Sequence, residues 1–144
     1  MGNQFKRLRQ FEFRGESRKV RFIETMKVRE GVECDVYEFV DNKDEDLGII
    51  RVDEGKATPL QKVTLDPKIK IVFTEEGYVS GCGSLEIQSI NTQSRIYKVN
   101  SLTDKFSVCV ERGERMKWKA GKGGLVAYEI CNPPYREGRF ENLD

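Results

Sequence analysis

The sequence predicts one all-β domain folded as a closed antiparallel barrel. Short stretches of strand length alternate apolar and polar residues, and Gly, Asp, Asn and Pro separate them at regular spacing. No window of helical length carries a 3.6-residue apolar period. The 144 residues are enough to bury a core without covalent staples. Closing the sheet into a barrel would remove the exposed edges that one open sheet of this size leaves.

The N-terminal residues 1–17 are predicted to form a basic arm or an edge strand. Cations interleave here with Phe5, Phe11 and Phe13, a pattern that also occurs on surfaces that bind single-stranded nucleic acid. The alternation favours an edge strand, whose rings cover the core while its charges protect the edge. The cations of this segment and of the residues directly after it are Lys6, Arg7, Arg9, Arg14, Arg18, Lys19 and Arg21.

The next strand, 32–40, is predicted to be apolar on both faces. Val32, Cys34, Val36 and Val40 share one face, and Tyr37 and Phe39 the other. The run 41–46 that follows is predicted to be a solvated turn, because its acids lack the Gly and closing Glu of a calcium loop.

Further strands are predicted along the rest of the chain. Gly77, Gly81 and Gly83 are expected to give the backbone freedom for a sharp corner before one of them. The predicted strands are 47–52, 61–65, 69–73, 85–90, 95–99, 106–110, 115–118 and 125–131.

Composition restricts the chemistry. The chain has no histidine, which removes the commonest metal ligand and proton carrier. Its four cysteines form no C-x-x-C pair, so buried free thiols are expected. A net charge of +1 gives no global attraction to nucleic acid or membrane, and neither partner is predicted. The absence of a long apolar run and of a signal-peptide pattern predicts a cytoplasmic protein.

Three stretches in order resemble the two conserved motifs of the cupin superfamily. They are VDEGKATPLQ at 52–61, GYVSGCGSL at 77–85 and VERGERMKW at 110–118. The run 128–143 resembles the tail of a cupin-like group of uncharacterised bacterial proteins, so that the resemblance covers about 48–143. It implies a double-stranded β-helix of the jelly-roll type, often dimeric, with a ligand pocket inside the barrel.

The departures from the cupin motifs imply that no metal cofactor is held. Gln61, Val63 and Met116 stand where metal-binding cupins have histidines. Glu76 occupies the position of the carboxylate ligand, although Thr74 satisfies a similar count. The oxygenase and metalloisomerase activities of the family are therefore not expected here.

The sequence is equally compatible with a barrel interior that holds a metabolite pocket and with one that is filled by side chains. Aromatic faces with a few polar groups suit sugars or planar heterocycles. Strand alternation gives the pocket lining as Gln61, Val63, Glu76, Tyr78, Met116, Trp118 and Tyr128.

Two functions follow from this interior. The first is metal-free, non-catalytic binding of a small polar metabolite of the sugar or nucleotide-sugar class by a homodimer. The alternative is a metal-independent isomerase, epimerase or lyase, with Glu76 as general base and Tyr78 or Tyr128 as acid.

Two surface segments complete the prediction. The basic hairpin around 112–122 ends in the turn 121–124, where a phosphate-bearing ligand would be sought first, although an ordinary turn with solvated lysines is favoured. Residues 132–144 are expected to leave the barrel as an extended tail, because consecutive prolines cannot continue a central strand.

Overall fold

The described chain is built from strands alone. The computed structural model describes residues 7–13, 15–63, 70–75, 82–89, 94–100, 106–111, 113–132 and 140–143. These residues form β1 (Gln10–Phe13), β2 (Glu16–Arg29), β3 (Val32–Phe39), β4 (Asn42–Val52), β5 (Gln61–Val63), β6 (Lys70–Glu75), β7 (Cys82–Gln88), β8 (Arg95–Asn100), β9 (Phe106–Glu111), β10 (Arg115–Ala120), β11 (Leu125–Asn132) and β12 (Phe140–Asn142).

The strands form two curled antiparallel sheets. The seven-stranded sheet has the order β1-β2-β3-β4-β11-β6-β9, and the five-stranded sheet has the order β12-β5-β10-β7-β8. One apolar cluster lies between the two sheets and contains residues of β3, β4 and β11 from the large sheet and of β7 and β10 from the small one. The fold is therefore the all-β barrel that the alternation of apolar and polar residues predicts.

Both faces of the large sheet are buried, which explains the two-faced strand 32–40. Val32, Cys34 and Val36 face the small sheet, whereas Tyr37 and Phe39 belong to a second apolar cluster on the outer face. This division confirms the predicted faces of β3. Val40, predicted to continue the inner face, lies in the turn after the strand and is 48% exposed.

The large sheet curls so that the hairpin of β1 and β2 at its edge lies against the outer face of its own central strands. Phe11 is buried and stacks on Tyr128 of β11, with ring centroids 5.5 Å apart and planes at 27°. Phe22 of β2 meets Tyr37 edge-on at 5.5 Å. An edge strand does occur in the N-terminal segment, as predicted. The long β2, which continues to Arg29, was missed because two bulges interrupt its alternation of apolar and polar residues.

Two local predictions are wrong. The turn predicted at 41–46 is shorter, because β4 already begins at Asn42, and Asp46 is fully buried rather than solvated. Gly83 forms no corner but lies inside β7 with a negative φ. It is glycine because a Cβ there would lie 2.4 Å from the carbonyl oxygen of Lys119 on the neighbouring strand. Gly77 and Gly81 lie outside the described residues.

The prediction that residues 132–144 leave the barrel as an extended tail is wrong for 140–142, because β12 rejoins the five-stranded sheet at its edge. Consecutive prolines prevent a strand only where they stand, and pairing resumes at Phe140. β12 pairs with β5, with Asn142 opposite Gln61 and Phe140 opposite Val63. Within the described residues no helix is long and apolar enough to cross a membrane.

Candidate functional site

A hydrogen bond crosses the barrel interior from one sheet to the other. Trp118 of β10 donates its indole Nε1–H to the Oε2 oxygen of Glu129 on β11, at 3.1 Å. The side chains are 0% and 1% exposed, so that a carboxylate lies where solvent does not reach. Burying a carboxylate costs free energy that hydrogen bonds must offset, and the indole N–H supplies one of the bonds that hold Glu129 in the interior.

Backbone contacts fix the position of Trp118. Its N–H donates to the Thr58 hydroxyl oxygen at 2.9 Å, and its carbonyl oxygen accepts from the Thr58 N–H, also at 2.9 Å. On the other side, Trp118 pairs with Leu85 of β7. The backbone of β10 is therefore held on both sides at Trp118, and the indole reaches Glu129 on the large sheet.

Strand alternation explains why Glu129 points inward. Leu125, Ala127 and Cys131 lie two and four residues away and are buried, as is required on the inner face of β11. Opposite Glu129 stands Gly48 of β4. A Cβ on Gly48 would lie 3.8 Å from Glu129 Oε1, so the missing side chain leaves room for the carboxylate.

A second carboxylate and a thiol share this part of the interior. Asp46 pairs with Cys131 and lies diagonally across from Glu129 on the same face, a placement that sets side chains about 7–8 Å apart. Cys34 Sγ is 3.2 Å from where a Gly48 Cβ would be. Burial, and then the charge of Glu129, raises the pKa of the Cys34 thiol well above its ordinary 9.0. Cys34 is therefore an unreactive thiol near neutral pH.

Gln61 brings an amide to the same inner face. It pairs in register with Met116, which is fully buried, and its own side chain is 6% exposed. Gln61 Nε2 donates to the Asn142 side-chain oxygen at 3.1 Å, a contact that ties β5 to β12. Gln61 is thus directly opposite Met116, which is two residues before Trp118 on β10.

The structure brings some of the predicted site residues together and separates others. Gln61, Met116 and Trp118 share the inner face. Tyr128 does not join them, because it belongs to the outer cluster and stacks on Phe11. The prediction that Tyr128 lines the interior is therefore wrong. Because β11 is apolar on both faces, the sequence pattern does not show which of its residues point inward. Glu76, Tyr78 and the side chain of Val63 lie outside the described part, and their roles stay predictions.

Sequence reasoning missed Glu129, Asp46 and Cys34 as members of the site. One signal for Glu129 was available, because it stands between Ala127 and Cys131 at strand spacing. No corresponding local signal marked Asp46, which follows a run of charged residues. Its burial depends on pairing with β11, far along the chain.

The glycine turn 121–124 offers little to a phosphate. The Gly123 N–H donates to Glu54 Oε1 at 2.8 Å, and the Gly124 N–H donates to the carbonyl oxygen of Gly121 at 3.2 Å. Both amides already have acceptors, and Lys119 and Lys122 beside them are exposed. The ordinary turn favoured from the sequence is confirmed.

The described interior does not fit the metal of metal-binding cupins. Gln61 and Met116 offer an amide and a thioether instead of imidazoles. Among the residues that the structure describes, no group of three or more His, Cys, Asp or Glu side chains could hold a metal ion. The described polar groups are suited to hydrogen bonding rather than to coordination.

Comparison with known proteins gives similarity in structure only. No family model matches the chain, and no curated protein matches its sequence. Among solved structures, oxalate decarboxylase from Lactobacillus farciminis, in a formate complex, is 14% identical to this chain with a TM-score of 0.64. The similarity covers 83% of this chain and 33% of the decarboxylase.

Two further structures are similar to this chain. The capsular polysaccharide assembling protein CapF from Staphylococcus aureus is 15% identical with a TM-score of 0.62, over 85% of this chain and 32% of that one. A variant of Streptomyces PAC13, in a structure with uridine, is 13% identical with a TM-score of 0.57, over 84% of both chains. This chain thus spans about a third of the length of CapF and oxalate decarboxylase. Its architecture is the double-stranded β-helix of the cupin fold.

Proposed function

We propose that the protein binds a small polar metabolite of the sugar or nucleotide-sugar class inside the barrel, without a metal and without catalysing a reaction. The observation that carries the proposal is the buried carboxylate of Glu129 on the Trp118 indole, 3.1 Å apart in the interior. A carboxylate is an acceptor for two hydroxyl groups at once, which suits the vicinal hydroxyls of a sugar or ribose.

The surrounding groups suit the same chemical class. The Trp118 ring offers an apolar face of the kind that packs on sugar rings and planar bases. Gln61 adds an amide, with a donor and an acceptor, at the same inner face. Since Trp118 has no exposed surface, the ligand reaches it only when the interior opens, and association should be slower than simple docking.

The solved structures of the same fold support this class by analogy. The PAC13 structure contains uridine, and CapF is a capsular polysaccharide assembling protein. Fold alone does not transfer function, so the proposal depends on Glu129 and Trp118 rather than on these proteins.

The diagonal placement of Asp46 and Glu129 favours a second candidate, a metal-independent isomerase, epimerase or lyase. Two buried carboxylates on one face of the interior can divide the acid and base roles of a proton transfer. In such an enzyme, Glu129 and Asp46 would carry out the proton transfer that the sequence pattern suggested for Glu76 and Tyr78. Turnover of a nucleotide-sugar, followed by proton NMR and lost in Asp46→Asn and Glu129→Gln alike, would favour the enzyme.

The binding proposal is tested by calorimetric titration with uridine, UDP-glucose and glucose in the presence of a chelator. We expect at least one of them to bind and, at about 100 times its dissociation constant, to stabilise the protein by about 2.7 kcal/mol, a rise of several degrees in Tm. Glu129→Gln keeps an acceptor for the indole but loses the charge, and should weaken binding about tenfold or more.

The matched control is Glu30→Gln, which removes one exposed carboxylate in the turn between β2 and β3. Its affinity should equal that of the unchanged protein. Equal affinities for Glu129→Gln and the unchanged protein would contradict the proposal, as would stabilisation that disappears when the chelator is added.

A further inference from the structure

A groove on the surface is lined by cations and apolar side chains at one end of the N-terminal hairpin. Its volume is about 1050 Å³, and it lies where the chain before β1 meets β2 and the turn after β3. We call it the basic groove and define it by Arg7, Leu8, Arg9, Lys19, Val20 and Val40. None of these six residues belongs to the apolar cluster between the two sheets, so the groove is separate from the barrel interior.

The cations of the basic groove differ from several other described arginines, which pair with carboxylates. Arg18 pairs with Asp41 and Glu45, and Arg95 pairs with Glu114. Within the described part of the chain, Arg7, Arg9 and Lys19 have no carboxylate at ion-pair distance. In a chain of net charge +1, this leaves a local positive field without a counter-charge of its own.

Contacts hold part of this positive surface in place. The Arg7 guanidinium carbon lies 4.0 Å from the centroid of the Phe22 ring, a cation–π contact, while the Arg7 side chain stays exposed. The Leu8 N–H donates to the Tyr37 hydroxyl at 3.1 Å, and the Val20 N–H donates to the Arg9 carbonyl oxygen at 3.0 Å. A partner would therefore meet cations whose backbone is already ordered.

The groove also has an apolar component. Val40 is 48% exposed, which makes it one of the most exposed large apolar residues of the described chain. Leu8 is half-buried beside it. A partner that satisfies both parts of the groove must carry negative charges and apolar groups together.

The described aromatic rings near the groove do not suit base stacking. Phe11 is 1% exposed and stacks on Tyr128, Phe39 is fully buried under Arg18, and Phe22 is covered by Arg7. Single-stranded nucleic acid is bound chiefly by cations together with accessible rings, and the accessible rings are missing among these residues. The groove therefore favours carboxylates on a peptide over phosphates on a nucleic acid.

We propose that the basic groove binds an acidic peptide segment of another protein, with glutamate or aspartate side chains on Arg7, Arg9 and Lys19 and an apolar side chain against Val40. At an exposed charged surface, charge complementarity mainly increases the association rate and makes binding depend on salt concentration. The peptide is thus a partner beyond the metabolite proposed for the barrel interior, and the two sites are independent.

The probe is a fluorescein-labelled peptide of alternating glutamate and valine, titrated with the full chain and followed by fluorescence anisotropy at low and physiological ionic strength. We expect saturable binding that weakens with salt. The triple variant Arg7→Glu, Arg9→Glu and Lys19→Glu should weaken binding about tenfold or more. Val40→Asp, which leaves the cations intact, should weaken it about threefold or more.

The control triple Lys98→Glu, Lys119→Glu and Lys122→Glu makes the same change in net charge at exposed positions away from the groove. It should retain affinity within about threefold. Because the Arg7 change removes a cation–π contact, the double variant Arg9→Glu and Lys19→Glu provides a second test with that contact intact. Equal losses in the groove and control variants, no peptide binding, or groove-dependent binding of oligothymidylate in place of the peptide would each overturn the proposal.

Discussion

Replacing Trp118 by alanine is expected to lower the free energy of unfolding by about 3–5 kcal/mol, the range for large aromatic residues in a packed core. Trp118 is 0% exposed, packs in the cluster between the sheets, and donates to Glu129. The loss has two causes, a cavity between the sheets and the removal of a donor from a buried carboxylate. Urea denaturation followed by circular dichroism measures it, because the variant lacks the indole fluorophore.

Two companion variants make the Trp118 result interpretable. Trp118→Phe keeps most of the ring volume and loses the N–H, so a loss of about 1–3 kcal/mol isolates the contribution of the hydrogen bond. Ile96→Ala, on a side chain that is 61% exposed, should change stability by under about 0.5 kcal/mol. A loss below about 1 kcal/mol for Trp118→Ala would mean that the two sheets do not depend on this side chain.

Gly83→Ala is expected to destabilise the protein by about 1–3 kcal/mol or more, although alanine is otherwise acceptable in a strand. The new Cβ would lie 2.4 Å from the backbone oxygen of Lys119 and 3.1 Å from Leu125 Cδ2, so β7 and β10 would have to move apart. Thermal denaturation measures the effect as a fall in Tm.

Gly48→Ala is the matched control for Gly83→Ala. Its Cβ would meet the Cys34 sulfur at 3.2 Å, a side-chain atom that can shift by a few tenths of an ångström. The Tm of Gly48→Ala should therefore fall less than that of Gly83→Ala. The opposite order would show that the spacing of β7 and β10 is not what requires glycine at position 83.

The fold was predictable because most strands alternate against one buried face. The strands 95–99, 106–110 and 125–131 differ from the observed β8, β9 and β11 by a single residue at one end. β2 was not predicted as one long strand, because it bulges twice against β3, after Phe22 and after Lys27, and these bulges shift its alternation.

The site was only partly predictable, because burial of a polar group depends on partners distant in sequence. Gln61, Met116 and Trp118 follow the expected alternation, and the structure places them on one face. Glu129 was not assigned to the interior, because a charged residue in an apolar strand is expected to point outward. Its burial depends on the Trp118 N–H and on the space at Gly48, and both depend on strand register.

The central claim is that a metabolite binds beside Trp118, and one NMR signal tests it most directly. The chain contains a single tryptophan, so its indole Nε1–H gives one assigned cross-peak in a proton–nitrogen spectrum. Adding uridine or UDP-glucose to saturation should move this cross-peak, because the ligand changes the acceptor environment at Glu129. Calorimetric binding that leaves the indole signal unmoved would contradict the claim and place the ligand elsewhere on the protein.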